Sequence, residues 1–202
     1  MNSSVVPFGK PRGERADAVR NREHLLRTAR EMIEKYGVGK VTMDGLAERA
    51  GLGKGTVFRR FGTRAGIFQA LLDADERQFQ ERVLSGPPPL GPGADPVERL
   101  VAYGRARVAF LVDHQVIARA ALDRDEPTLA GNPSLTQLHL RMLLRHCAPM
   151  PNLEGVVVQL TAALEGPLLL IRSRPELEAE AAAEANDFLG DAWQTLIERL
   201  VR

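Results

Sequence analysis

Residues 42–64 read TMDGLAERAGLGKGTVFRRFGTR, and this stretch decides the fold of the N-terminal part of the chain. Thr42 is a favourable N-cap because its hydroxyl can accept a hydrogen bond from an unpaired amide of the first helical turn. Gly51 predicts the end of that helix, since glycine enters the left-handed conformation at little steric cost. A second helix is predicted from about Lys54 to Phe61. The stretch therefore predicts two short helices joined by a glycine turn.

The second of these helices has an apolar side and an open, cationic side. At about 100° per residue, Val57 and Phe61 lie within about 40° of each other and would anchor the helix. The opposite side carries Gly55, Thr56, Arg59 and Arg60. An arginine fork can bond guanine O6 and N7 together, which is the commonest specific contact in the major groove. The pattern predicts a helix that reads DNA, and the alternative is that the two arginines only solvate a surface helix.

The stretch from about Asn21 to Leu72 resembles the N-terminal domain of TetR-type transcriptional regulators. The matching positions are Thr42, Leu46, Ala47, Ala50, Gly51, Lys54, Gly55, Thr56, Phe58, Phe61, Thr63, Arg64, Ile67 and Phe68. The resemblance implies an all-α homodimer that binds a double-stranded DNA operator and is released by a small-molecule effector. With the cationic face, it gives these DNA-binding residues: Thr42, Lys54, Gly55, Thr56, Phe58, Arg59, Arg60 and Arg64.

The chain departs from the pattern of this family at several positions. The family usually has tyrosine at position 58, so Phe58 keeps the ring and loses a hydroxyl that reaches a phosphate. It usually has serine at position 53, and Gly53 is a weaker N-cap by a few tenths of a kcal/mol. Arg64 replaces the usual lysine, which keeps the charge and adds a bidentate grip. These changes preserve the expectation of DNA binding but remove one backbone contact.

The charge of the chain is divided unevenly. The 202 residues have a formal net charge of +1. Residues 1–64 contain 14 Lys and Arg against 7 Asp and Glu, or +7, and the remainder contains 13 against 19, or −6. Only the first part has the electrostatics of a polyanion binder. With 44% hydrophobic residues, the chain has ample material for a core.

The cysteine count and the lack of long apolar runs bear on the compartment. Cys147 is the single cysteine, so an intramolecular disulfide is excluded and a reducing cytoplasm is favoured. We expect Cys147 to be a packing residue rather than a redox sensor. No apolar run approaches the roughly 20 residues of a membrane span, and no hydrophobic signal core is present. The sequence predicts a cytoplasmic protein without a membrane partner.

Three domains are expected along the chain: residues 1–17 as a flexible basic arm, 18–62 as the helix-turn-helix DNA-binding domain, and 63–202 as the effector-binding and dimerisation domain. The arm is rich in Pro, Gly and charge. Its basic residues, with Arg20, could order against a minor groove or remain a solvated tail; they are Lys10, Arg12 and Arg15.

Helical periodicity and capping residues predict the other elements. Asp95 and Pro96 occupy the favoured N-cap and first helical positions of one helix. The proline- and glycine-rich residues 85–96 before it predict an exposed loop. The predicted helices cover about 18–36, 63–84, 96–113, 115–122, 135–147, 152–175 and 175–201.

The last two helices have a large apolar face. We expect them to pair with the same helices of a second copy, through Val157, Leu160, Leu164, Leu189, Trp193, Leu196 and Leu200. Interior packing within one chain is the alternative explanation. A two-fold dimer would place two recognition helices about 34 to 36 Å apart, which is one turn of DNA.

The C-terminal domain is expected to bind an effector between its helices, as the family resemblance implies. Candidate lining groups are Tyr103, Arg107, His114, His139, Gln159 and Glu165, each of which could instead be a surface or satisfied core group. The many Leu, Val and Ala residues favour an apolar or amphiphilic small molecule.

The sequence lacks the motifs of other functional classes. The histidines have no partner cysteines and no metal-binding spacing, so we expect no metal and no cofactor. No serine lies in a nucleophile elbow, and we expect no catalytic residues. The competing hypotheses are a DNA architectural protein without an effector and, less favoured, an enzyme in the C-terminal helices.

Overall fold

The computed structural model describes residues 12–121, 135–147, 149–172 and 179–201, and the regular structure of these residues is entirely helical. The predicted all-α fold class is confirmed. The chain divides into two compact units, Met1–Leu71 and Leu72–Arg202. None of the described helices combines the length and the apolar character that a membrane span requires.

The first unit contains three helices and the beginning of a fourth. They are α1 (Arg12–Tyr36), α2 (Met43–Ala50), α3 (Lys54–Phe61) and the first turns of α4 (Arg64–Ser85), with a 3-10 turn at Val38–Lys40. Fully buried side chains come from every one of these α-helices, namely Leu25, Ala29, Leu46, Val57, Ile67, Phe68 and Leu71. The unit boundary lies inside α4, beyond the position 62 expected from the sequence.

Helix α1 begins earlier than the sequence pattern predicted. It starts at Arg12 rather than at about residue 18, so residues 12–17 of the expected arm are helical. Arg, Glu and Ala are strong helix formers, and the segment has no proline beyond Pro11 to stop the helix. Arg20 forms an ion pair with Asp17 one turn earlier, which also favours the helix. Lys10 lies outside the described residues.

The second unit is organised around one central helix. It contains the end of α4, then α5 (Pro96–Asp113), α6 (Gln115–Ala121), α7 (Leu135–Cys147), α8 (Leu153–Arg172) and α9 (Ala179–Leu200). Helix α5 packs against α6, α7, α8 and α9. The Asp95 side chain accepts a hydrogen bond from the Val97 amide at 2.9 Å, so the predicted start of α5 is confirmed.

Trp193 of α9 lies at the centre of this packing. Its Nε1 donates a hydrogen bond to the Leu100 carbonyl of α5 at 2.9 Å, and the side chain is only 3% exposed. Gly104 makes the close approach possible, because a Cβ there would lie 1.9 Å from the indole Nε1. The indole thus ties α9 to the backbone of α5.

The residues predicted for the dimer interface differ in their exposure. Val157, Leu160, Leu164 and Trp193 are buried in the hydrophobic core of their own unit, and Leu189 packs against that core. The first four are 1 to 4% exposed and Leu189 is partly buried, and Leu160 also lines a groove between α8 and α9. Leu196 and Leu200 are exposed, as is Val158, which the sequence analysis did not select. Interior packing, the alternative, accounts for the burial of the first four residues, and the interface itself stays a prediction.

Candidate nucleic-acid interface and ligand cavity

The predicted turn between α2 and α3 is present with its predicted caps. The Thr42 hydroxyl accepts a hydrogen bond from the Gly45 amide at 3.0 Å. Gly51 has φ 64° and ψ 28°, the left-handed conformation that favours glycine, and its amide bonds back to α2. Val57 is fully buried and anchors α3 in the first unit. Local signals therefore place α3 as the sequence predicted.

The outer face of α3 is open and cationic. Gly55, Phe58, Arg59 and Arg60 are exposed, and Thr56 is half-buried. Phe58 has half of its side-chain surface in solvent, with 50% exposure. No atom lies within 4 Å of where a Gly55 Cβ would be, so a sugar-phosphate strand could approach the helix closely there. This face presents two guanidinium groups beside an exposed aromatic ring.

The basic groups near α3 differ in their existing contacts. Within the described residues, Arg59 makes no hydrogen bond or ion pair. Arg60 donates to the Ala18 carbonyl at 3.1 Å while staying exposed, and Lys54 pairs with Asp44 at 2.9 Å. Both contacts are at the surface, where exposed pairs contribute about 0 to 1 kcal/mol, so they can be exchanged for DNA phosphates at little cost.

Arg64 has a structural role that the sequence analysis did not foresee. Its Nε donates to the Val41 carbonyl at 2.7 Å and its Nη2 to the Val38 carbonyl at 2.7 Å. The guanidinium also lies 4.9 Å from the centre of the Phe68 ring. Arg64 therefore stabilises the 3-10 turn that precedes α2. Its phosphate contact stays a prediction, restricted to the N–H groups that these bonds leave free.

Thr42 likewise combines a structural bond with a free donor. Its oxygen is used by the Gly45 amide, but the hydroxyl proton can still donate to a phosphate. The six remaining predicted DNA-binding residues, Lys54, Gly55, Thr56, Phe58, Arg59 and Arg60, all belong to α3. The structure thus brings the predicted residues into one unit, next to one helix.

Comparison with known proteins agrees with this geometry. Residues 25–71 match the family model described as bacterial regulatory proteins of the tetR family. The N-terminal part of the chain is therefore similar to the tetR family over these 47 residues. The matched residues run from the middle of α1 to the first turns of α4 and include the capped turn and the cationic helix.

A curated relative and a solved structure extend the comparison. An HTH-type transcriptional regulator of Staphylococcus aureus (strain bovine RF122 / ET3-1) is 28% identical over 65 residues, which cover 32% of this chain. The match spans about a third of that relative's length, 35%. A TetR-family transcriptional regulator from Rhodococcus sp. superposes with a TM-score of 0.56 at 16% identity, covering 89% of this chain and 99% of the other. This likeness shows a shared fold over both units.

In the second unit, Tyr103 and His139 come together. The Tyr103 hydroxyl donates to the Thr136 hydroxyl at 2.8 Å, and the two ring centres lie 4.7 Å apart. Burial raises the pKa of Tyr103, and the smaller effects of the Thr136 bond and the Arg107 charge oppose this shift. Two of the predicted effector residues, Tyr103 and His139, therefore share one region of the core, and Glu165 is half-buried on α8.

Arg107 and His114 lie against α4 instead. Arg107 forms an ion pair with Glu76 at 2.6 Å, and His114 contacts Asp75 through Nε2 at 3.2 Å. The His114 ring stacks on Phe110 at 4.2 Å. These contacts neutralise the Arg107 charge, although its Nε is buried without a partner, and they connect α4 to α5. An effector role for either residue stays a prediction.

Gln159 belongs to a different surface. It is exposed and lines an apolar groove of about 490 Å³ between α8 and α9, together with Leu160, Leu196 and Leu200. The six predicted effector residues thus do not form one site. The sequence analysis selected them for their apolar neighbours, and tertiary packing distributes them over the core, the α4 contact and this groove.

A cavity of about 240 Å³ lies beside His139. Its walls are apolar except for His139 and Arg99, and its other lining residues are Val83, Leu84, Pro92, Leu135, Leu138 and Met142. The sequence analysis missed Arg99. Its spacing was a usable signal, because Arg99 precedes Tyr103 by four residues and so lies on the same face of α5.

The cysteine and the other histidines have ordinary structural contacts. Cys147 is half-buried and donates to the Leu143 carbonyl at 3.3 Å, and burial raises the pKa of its thiol, which disfavours the reactive thiolate. His24 contacts the Ala50 carbonyl at 3.1 Å and joins α1 to α2. The described part of the chain contains no cluster of three or more His, Cys, Asp or Glu that could hold a metal ion.

Proposed function

We propose that this protein is a transcriptional repressor of the cytoplasm that binds a pseudo-palindromic operator as a homodimer and is released by a small apolar or amphiphilic effector. The observation that carries the proposal is the exposed face of α3. Among the described residues, the Arg59 guanidinium makes no hydrogen bond or ion pair, and Arg60 makes one exposed bond to the Ala18 carbonyl. The backbone at Gly55 is open. Arginine forks suit guanine edges, and a glycine permits close approach to the backbone.

The proposed dimer uses the surface of α8 and α9 that the core leaves uncovered. Val158 is 56% exposed, Leu196 43% and Leu200 36%. The groove of about 490 Å³ between the two helices is lined mainly by apolar side chains and could receive side chains of a second copy. A two-fold arrangement presents the same surface from both subunits and gives two recognition helices for two half-sites.

Release by an effector requires unequal affinity for two states. The ligand must bind the DNA-free conformation more tightly than the DNA-bound one, because equal affinity shifts no equilibrium. Helix α4 runs from the first unit into the second. We propose that a ligand held against its C-terminal end displaces α4 and changes the separation of the two recognition helices.

The test is a comparison of specific and non-specific DNA binding. A preferred site is first selected from a random duplex library, and affinities for it and for a scrambled duplex are measured by fluorescence anisotropy. Arg59→Ala and Arg60→Ala should each cost about 1 to 3 kcal/mol on the selected site and much less on the scrambled one. Arg82→Ala is the matched control. Arg82 follows Arg64 by 18 residues, or about 27 Å along α4.

Arg64→Ala should weaken both duplexes alike, after correction for any loss of folded protein caused by the missing bonds to Val38 and Val41. Equal losses on both duplexes for Arg59→Ala and Arg60→Ala would contradict base reading. Coverage of random DNA without a selected site would favour the architectural hypothesis instead.

A further inference from the structure

The cavity beside His139 contains two buried polar atoms that the protein leaves unsatisfied. His139 is 4% exposed, and its Nε2 has no hydrogen-bond partner. Arg99 Nε is also buried without a partner. Both residues line the same cavity. An unsatisfied buried polar atom destabilises the folded state, so a pair of them in one cavity indicates that a further group belongs there.

The charge of Arg99 is also uncompensated among the described residues. Its Nη2 reaches only the Val83 carbonyl, at 3.4 Å, and no described carboxylate lies within ion-pair distance. Arg105 and Arg107 of the same helix pair with Asp191 and Glu76. An arginine can donate from Nε and an Nη together to both oxygens of a carboxylate. Arg99 is therefore suited to an anionic oxygen ligand.

His139 complements this preference. Burial, with a smaller contribution from the charge of Arg99, lowers the pKa of His139 to about 4. The imidazole is neutral at pH 7, and the tautomer protonated at Nε2 can donate to the same ligand oxygen. A neutral donor beside a single positive charge favours one negative charge rather than two.

The rest of the cavity is apolar and reaches the surface. Leu84, Leu138 and Met142 line it and are 60%, 47% and 43% exposed. Val83 is fully buried at its wall. The volume of about 240 Å³ corresponds to about eight waters at liquid density. Only two of the lining side chains, those of Arg99 and His139, can bond to water, so apolar walls face most of the space. An apolar chain or ring suits this part better than water does.

A wider groove of about 670 Å³ between α5, α9 and residues 88–94 does not have the same property. Its Arg105 bonds to Asp191 and Gln194, and Gln194 in turn donates to Glu198. Arg105, Gln194 and Glu198 thus bond to one another, and none of the groove's lining residues has a buried side-chain atom without a partner. The smaller cavity is therefore the better candidate for a ligand site, because Arg99 Nε and His139 Nε2 lack partners there.

We propose that the cavity formed by Val83, Leu84, Arg99, Leu138, His139 and Met142 binds an amphiphilic monocarboxylate, whose carboxylate docks on Arg99 and His139 and whose apolar part contacts the leucines. The inference deepens the proposed function, on which it rests for its regulatory meaning, by giving the effector a site and a chemical class. Two residues of the wall, Val83 and Leu84, belong to the last turns of α4.

The test measures binding to the full chain without DNA. Isothermal calorimetry at pH 7.4 compares octanoate, 1-octanol and octylammonium, which share an eight-carbon body and differ in the head group. Octanoate should bind at least about tenfold more tightly than octanol, because charge-assisted bonds add about 1.5 kcal/mol or more. Arg99→Gln should remove this preference while keeping octanol binding, which shows that the cavity is still folded.

Two further variants sharpen the result. Arg145→Gln removes an exposed arginine of α7 and should keep the octanoate preference. His139→Phe should reduce it. The proposal is overturned if octanoate does not bind, if octanol or octylammonium binds equally well, or if Arg99→Gln keeps the preference.

The proposed function is tested separately by adding octanoate to the complex with selected DNA. Release of DNA by octanoate, lost in Arg99→Gln, supports the site and its effector role together. Octanoate binding with the expected preference but without any effect on DNA affinity would support the site and contradict the effector role.

Discussion

At the residue scale, identical residue types acquire different roles from their surroundings. Arg59 is uncommitted among the described residues, Arg64 bonds to two backbone carbonyls, and Arg99 lies in a cavity without a carboxylate partner. The sequence predicted a DNA contact for the first two and overlooked the third. A guanidinium has five N–H donors, and only neighbouring groups that are distant in sequence decide which of them remain free.

The lack of a side chain at Gly104 allows α5 and α9 to pack closely. Gly104→Ala gains up to about 1 kcal/mol of helix propensity. The added Cβ would overlap the Trp193 ring, however, and would displace the indole from its bond to Leu100. Overpacking costs about 1 to 3 kcal/mol and the lost bond about 1 more. We expect a net loss of about 1 to 3 kcal/mol in the free energy of unfolding, measured by urea denaturation.

Gly155→Ala is the matched control for this prediction. Gly155 also lies in a helix, α8, but no atom lies within 4 Å of its missing Cβ. The substitution should leave stability unchanged or raise it by up to about 1 kcal/mol. Equal effects of the two substitutions would mean that the indole does not constrain Gly104.

At the element scale, the helix ends are where local sequence is most informative. The caps at Thr42, Gly51 and Asp95 were predicted from single side chains, and the structure has each of them. The start of α1 was misplaced because composition, rather than a cap, was used to locate it. A cap acts through hydrogen bonds within one turn, so the sequence contains the whole interaction.

The N-caps of α2 and α3 predict opposite responses to substitution. Thr42→Ala removes the bond to the Gly45 amide and should lower the free energy of unfolding by about 1 kcal/mol. Gly53 caps α3 without a side-chain bond and has open space around it, so Gly53→Ser should raise stability by a few tenths of a kcal/mol. Thermal unfolding followed by circular dichroism measures both. A loss of stability in Gly53→Ser would contradict the assignment of this cap.

At the scale of the whole molecule, two features bear on the proposed partners. The uneven charge bears on DNA binding, and the exposed apolar surface of α8 and α9 bears on the dimer. Periodicity identified the apolar helices but assigned Val157 to an interface and ignored Val158. Neighbouring residues of a helix point about 100° apart, and both are valines here. Which one faces its own core depends on where α5 and α9 pack.

Leu196→Glu provides a test of the proposed dimer. A carboxylate at this exposed position should be tolerated in a monomer, where water solvates it, but would be desolvated in a dimer interface at a cost of several kcal/mol. We expect sedimentation velocity to show a shift from dimer to monomer. Val116→Glu, at an exposed position of α6, should leave the sedimentation coefficient of the dimer unchanged. A dimer that persists in Leu196→Glu would place the interface elsewhere.

The sequence by itself determined the helical class, the capped turn and the cationic face of α3, since these depend on contacts between residues only a few positions apart. The tertiary structure alone decided that Val157 and Trp193 are interior, that Arg64 braces a turn, and that Arg99 and His139 share a cavity. The physical reason is the separation along the chain over which each kind of interaction acts. Capping and periodicity act within one or two turns, whereas burial and the pairing of charges depend on elements that the chain brings together from far apart.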